Sequence, residues 1–146
     1  MTFQLIDNGL KAEDYIYLRS EVGFMKTPLD QTEQSLKNGL FSVVAECDGK
    51  NVGMGRLVGD GVMYWYIQDV AVLPEYQGKG IGKAIVQKLM QYVEENSIPG
   101  TYTTIGLMAA KGKDTFYEKL GFISRPNDTC GAGMMKRFLV GNKEEK

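Results

Sequence analysis

Hydrophobic positions along the chain change period several times, and each change marks an element. Alternation at Phe3 to Ile6 predicts a short first strand. Tyr15, Leu18 and Val22 are spaced for one helix face, placing a helix from about Ala12 to Val22. Asp30 followed by Glu33 resembles a capping box and Asn38-Gly39 a helix stop, so a second short helix is expected between them. Phe41 to Cys47 and Val52 to Val58 then read as strands joined at the hairpin signal Asp48-Gly49. Gly59-Asp60-Gly61 turns the chain into Tyr64 to Val72, a long aromatic and β-branched run. Arg56 and Asp60 flank that turn as a candidate structural ion pair.

After Pro74 the period lengthens to about 3.6, with Ile81, Ile85, Leu89 and Val93 marking a helix from Gly80 to Asn96. Tyr102 to Ala109 reads as another strand. Asp114 is placed to cap a short helix running to Leu120 and closed by Gly121. Phe122 to Ser124 and Met134 to Leu139 are expected as final strands across the loop 125–133, and 141–146 as a frayed, charged end. The order predicts a mixed α/β (α+β) fold around one sheet, with residues 1–146 as a single domain.

Composition narrows the chemistry. The 146-residue chain contains no histidine, which excludes Ser-His-Asp hydrolases, Cys-His proteases and the common His-based metal sites. No metal is therefore expected. Cys47 and Cys130 cannot build a disulfide framework and suit a reducing, cytoplasmic setting. Seventeen basic against eighteen acidic residues give no reason to expect nucleic acid as a partner. No apolar run approaches the ~18 residues of a membrane span, and Met1-Thr2-Phe3-Gln4 has no basic n-region, so neither a membrane partner nor a signal peptide is expected. Any general acid or base must be Tyr, Asp, Glu, Lys, Cys or a water.

Gln77-Gly78-Lys79-Gly80-Ile81-Gly82-Lys83 sits between a predicted strand and a predicted helix, where small residues admit a ligand close to the backbone and free N–H groups face an anion. A P-loop requires Gly where Gln77 stands and a hydroxyl where Ala84 stands. Rossmann and kinase loops require Gly at Lys83. The loop matches neither. Together with Asp69-Val70-Ala71-Val72-Leu73-Pro74-Glu75-Tyr76, its Gln77, Gly80 and Gly82 resemble motif A of the GNAT family of acetyl-CoA-dependent N-acetyltransferases. Phe116-Tyr117-Glu118-Lys119-Leu120-Gly121-Phe122 resembles that family's second hallmark, and the resemblance covers about residues 52 to 138.

The resemblance implies a GNAT fold: a mixed central sheet of six to seven strands, splayed at the cofactor site, with about four helices. It implies acetyl-CoA as co-substrate. Val70, Ala71 and Val72 would pair with the pantetheine arm as an added strand, and Gln77, Gly78, Lys79, Gly80, Ile81, Gly82 and Lys83 would cradle the pyrophosphate. Tyr117 would be the catalytic acid that protonates the departing thiolate. Many members carry Asn where this chain has Ala110, with Lys111 and Lys113 beside it.

The base is sought on the strand before the loop, at Asp69 or Tyr66, with a water relay as the alternative. A regular strand puts Tyr66 and Gln68 on the face of Val70 and Asp69 on the other; a bulge would change that. Phe24, Tyr64 and Tyr66 are candidate acceptor contacts and favour a small primary amine. A protein lysine acetyltransferase and a non-catalytic acyl-CoA sensor are the rival readings. The resemblance also leaves a homodimer open.

Overall fold

The computed structural model describes residues 2–141, which form two compact units divided between Leu107 and Met108. The first unit contains β1 (Gln4–Asp7), α1 (Ala12–Glu21), α2 (Leu29–Lys37), β2 (Phe41–Cys47), β3 (Lys50–Gly59), β4 (Tyr64–Val72), α3 (Ile81–Asn96) and β5 (Thr104–Gly106). The second contains α4 (Asp114–Glu118).

The five strands lie in chain order, antiparallel from β1 to β4, with β5 added parallel to β4. α1 packs on β3 and β4, and α3 on β2, β3 and β4. β2 and β3 consequently read as nearly continuous buried runs rather than as alternating ones. Leu18, Val43, Val52, Met54, Leu57, Leu73, Ile81, Ile85, Val86 and Leu89 form the fully buried core.

Local chemistry explains most element ends. Asp48 and Gly49 both have positive φ (51° and 77°), the arrangement that a two-residue hairpin demands. Asp60 does not pair with Arg56 as expected. Its Oδ1 accepts the backbone N–H groups of Val62, Met63 and Tyr64, folding the β3–β4 turn around one carboxylate whose pKa these bonds lower. Gly53 and Gly55 lie beneath α3: a Cβ at Gly55 would stand 2.6 Å from Ile85 Cγ2 and 3.2 Å from Leu89 Cδ1. Their bareness lets the helix settle directly onto the sheet.

Several expectations are corrected. The sheet has five strands among the described residues, not six to seven. Residues 122–124 and 134–139 form no strand; Phe138 and Leu139 are exposed and find no ladder partner. β5 spans three residues, because its pairing starts beyond the exposed Tyr102 and ends at Gly106. Pro28 precedes α2, so Asp30 lies inside its first turn and no capping box forms. Likewise Asp114 is the first residue of α4, after Lys113, and makes no side-chain cap; the helix stops at Glu118.

Candidate active site

β4 parts from its neighbour partway along. Its parallel pairing with β5 covers Tyr64, Trp65 and Tyr66, opposite Thr104, Ile105 and Gly106. From Ile67 to Val72 it continues beside β3 with no strand on the other edge among the described residues. The Leu73 N–H donates to Val52 O (2.8 Å). In an extended chain neighbouring residues present their backbone groups to opposite sides. The N–H of Val72 therefore faces the open edge, where a further extended chain could be read.

The strand also contains an irregularity. Met54 pairs with Ala71 but Arg56 with Gln68, so β4 has one residue more than β3 across this interval. This is a β-bulge, centred on Asp69 at φ 58°, a left-handed conformation unusual for a non-glycine residue inside a strand. It overturns part of the parity expected for a regular strand: Gln68, the ladder partner of Arg56, shares the face of Asp69 rather than that of Val70. Val70 falls on the α3 side, its Cγ2 near the bare position of Gly55. Asp69 turns instead to the α1 side with Arg56.

Asp69 is the centre of a buried polar cluster. Its Oδ2 accepts from the Tyr15 hydroxyl (2.6 Å) and from Arg56 Nε (3.2 Å), and its Oδ1 from Arg19 (2.5 Å). The carboxylate is 2% exposed, the Arg19 and Arg56 side chains 12% and 9%. Arg56 also donates to the carbonyl and hydroxyl oxygens of Ser35, and Arg19 to Met25 O through Nε and a terminal nitrogen. Both guanidiniums lie over the Tyr15 ring. Burial first, then the hydrogen bond to Asp69, pushes the Tyr15 phenol up to about 12. Sequence reasoning missed Tyr15 and Arg19 as polar participants. The available signal was Arg56 and Asp69, two charges inside otherwise apolar strands.

Beyond β4, a single 3-10 turn (Pro74–Tyr76) leads into the glycine loop. Gln77 Nε2 donates to Val72 O (2.9 Å), tying the loop to the strand end. Gly78 and Gly80 have φ of 77° and 85°, and no atom lies within 4 Å of where their Cβ atoms would be. They are glycines for backbone reasons, and the space beside them is open. Gly80 caps α3 without a side-chain hydrogen bond, and the first turn holds no acidic residue. The unpaired N–H groups at this helix start and its dipole thus keep their affinity for an anion. Lys79 lies with its ammonium over the Tyr76 ring, and Lys83 is exposed in the first turn.

The structure thus places Val70, Ala71 and Val72 in one continuous strand–loop–helix segment with Gln77 to Lys83. Tyr66 stands where β4 and β5 separate, opposite Gly106. Tyr64 is 60% exposed at the far end of β4, and Phe24 is half-buried with the Arg19 guanidinium over its ring. Asp69 offers no free carboxylate oxygen, which weighs against its use as a base. Among the described residues no group of three or more Asp, Glu, Cys or His side chains is placed to hold a metal ion. No helix there is long and apolar enough to cross a membrane.

In the second unit, Tyr117 on α4 is half-buried between Phe116 and Phe122, whose rings meet it edge-on at 4.9 and 5.9 Å. Burial raises its hydroxyl pKa. Its carbonyl accepts the N–H groups of Leu120 and Phe122, and Gly121 at φ 98° lets the chain turn off the helix. Ala110, Lys111 and Lys113 lie before the helix; Lys111 and Lys113 are exposed.

Residues 38–124 match the acetyltransferase (GNAT) domain family. The chain is 35% identical over 118 residues to an uncharacterized N-acetyltransferase, ycf52, of Pyropia yezoensis, covering 78% of this chain and 66% of that one. It is 34% identical over 134 residues to the chloroplastic GCN5-related N-acetyltransferase 2 of Arabidopsis thaliana, covering 78% of this chain and 50% of the other. It thus spans between half and just under two-thirds of these curated relatives. The crystal structure of a probable acetyltransferase of unknown function from Staphylococcus aureus superposes with a TM-score of 0.82 at 31% identity, over 94% of this chain and 100% of that one. The chain belongs to the GNAT acetyltransferase family and has its fold, with a mixed five-stranded sheet and four α-helices among the described residues.

Proposed function

We propose that this protein is an N-acetyltransferase that moves acetyl from acetyl-CoA to the primary amine of a small molecule, by direct attack in a ternary complex. One observation carries the reading: the unpaired edge of β4 leads through two left-handed glycines into an uncapped helix start. An amide-bearing arm can add to such an edge as a strand, and a pyrophosphate suits the N–H groups that follow it. Acetyl-CoA supplies an activated thioester carbonyl.

The chain's own groups bind, orient and move protons. Val70 to Val72 present backbone groups at the edge, and the Val72 N–H is positioned to polarise a carbonyl there. Tyr117, a phenol protonated at neutral pH, is assigned the role of acid toward the departing thiolate. An alkylamine with pKa near 10.4 is only about one part in 10³ neutral at pH 7, a cost of roughly 4–5 kcal/mol unless a group takes its proton. With Asp69 engaged by Tyr15, Arg19 and Arg56, we assign that role to Tyr66 or a water relay. Phe24 and Tyr64 are proposed acceptor contacts. The setting is taken as cytoplasmic, consistent with the unpaired Cys47 and Cys130.

The test is CoA release by the purified protein with acetyl-CoA and a panel of aryl-alkyl amines, polyamines, aminoglycosides and lysine peptides. Turnover on a small amine, lost in Tyr117→Phe while acetyl-CoA still binds, supports the reading. Turnover confined to lysine peptides makes the protein a lysine acetyltransferase. Binding without turnover on any acceptor favours a sensor, and no binding defeats the proposal.

A further inference from the structure

Residues 15, 19, 56 and 69, drawn from one helix and two strands, converge on the single irregular point of β4. At that point the ladder offers little support: pairing jumps from Met54–Ala71 to Arg56–Gln68, and the intervening β4 backbone includes a left-handed residue that has a side chain. Such a conformation persists when its surroundings over-determine it. Here both carboxylate oxygens of Asp69 are occupied by three donors, each held from a second direction. Arg56 is anchored on Ser35 of α2, Arg19 on Met25 O, and Tyr15 is part of the buried face of α1.

The direction of the bulge matters to everything after it. Relaxed into regular pairing, β4 would slip by one residue and exchange the sides of its backbone groups. The Val72 N–H would then turn from the open edge toward β3. Arg19 has a second consequence, because its grip on Met25 O and its position over the Phe24 ring tie the loop after α1 to the same carboxylate.

We infer that Tyr15, Arg19 and Arg56 are positioning residues: through the Asp69 carboxylate they hold the bulge that aims β4, and through Arg19 they register the 23–25 loop against it. This rests on the proposed function in so far as β4 binds acetyl-CoA. A purely structural cluster would lower stability and leave the folded protein's local behaviour unchanged. A positioning cluster governs the local opening of β4 and that loop.

The experiment is hydrogen exchange on the full chain without ligand, comparing wild type, Arg19→Met, Tyr15→Phe and Val93→Ala as a destabilised control in α3. All are measured at a temperature where near-UV circular dichroism shows them folded. Peptides spanning 66–73 and 22–27 are expected to exchange at least ten-fold faster in Arg19→Met and about three-fold faster in Tyr15→Phe. They should remain at the wild-type rate in Val93→Ala. Unchanged exchange there, or an equal rise in the control, overturns the inference; Tyr15→Phe decides it should Arg19→Met fail to fold.

Calorimetry with acetyl-CoA forms a second arm, with Kd expected to rise at least ten-fold in Arg19→Met. Starting from Asp69→Gly, which tolerates the left-handed backbone, Arg19→Met should add nothing further. Faster exchange with unchanged affinity shows that the local order of β4 does not reach the acetyl-CoA edge and overturns the positioning role. A wild type that does not bind acetyl-CoA defeats the proposed function, and the exchange arm still decides this one.

Discussion

Gln77 donates a hydrogen bond from its side-chain amide to the carbonyl oxygen of Val72, closing the turn between β4 and the glycine loop. The amide therefore points back at the strand, leaving anion contact to the loop's backbone. Gln77→Glu removes the donor and sets a negative charge against a carbonyl dipole and beside a site proposed for phosphates. Its acetyl-CoA Kd should rise at least ten-fold, and that of Gln77→Ala about three-fold, by isothermal calorimetry at fixed salt.

Asp69 neutralises one of two guanidiniums, that of the buried Arg56 and that of the largely covered Arg19, and is hydrogen-bonded to both. Removing a partner from such a cluster leaves buried charge uncompensated, at a cost of about 3–5 kcal/mol. Asp69→Ala should lose roughly that much in urea unfolding. Tyr15→Phe, which removes one hydrogen bond and keeps the ring, should lose about 1–2 kcal/mol.

Tyr15 also predicts an alkaline stability profile. Its folded pKa of about 12 stands above the ordinary 10.0, so on raising the pH the unfolded chain releases this proton first. The contribution is complete below about pH 10 and is lost between about 10 and 12. Tyr15→Phe should lack this component. The difference between the two unfolding free energies, followed from pH 9 to 11.5, checks the slope.

Gly55→Ala places a methyl against Ile85 Cγ2, close to that residue's backbone and unable to swing away. Overpacking of this kind costs about 1–3 kcal/mol. The unfolding midpoint in urea should fall with little change in slope. Gly49→Ala lacks the clash and tests only a strained turn.

Tyr117→Phe should lower kcat by about 10²–10³ with acetyl-CoA affinity intact. Because the chain has no histidine, the rise of kcat/KM between pH 6 and 8 should follow the acceptor amine's own ionisation. Burial moves the Tyr117 hydroxyl upward, so its loss of the proton should limit kcat only above the ordinary tyrosine range. Rate profiles with two amines of different pKa separate these limbs.

Local rules made much of the framework legible. β2 and β4 have the bounds that their patterning suggests, and α3 starts one residue after the Gly80 that ends the loop. Asp48-Gly49 specified its hairpin unaided. The bulge was beyond such rules, since an extra residue in β4 shows only in its register with β3. The cluster around Asp69 joins positions as much as 54 residues apart, and nothing near Tyr15 announces a carboxylate partner. Met134 to Leu139 has strand-like residues, yet a strand exists only where another chain segment takes its hydrogen bonds, and pattern alone cannot supply one. The glycine loop was readable because φ above zero demands glycine locally, whatever else the protein does.

The bare edge of β4 carries a liability as well. A strand edge without a neighbouring strand will accept an extended chain, including one from another partly opened molecule. Folded protein lacking its ligand should accordingly clump more readily on warming than protein saturated with it, beyond the gain in melting temperature that mass action gives. Whatever occupies that edge acts, in effect, as its own chaperone.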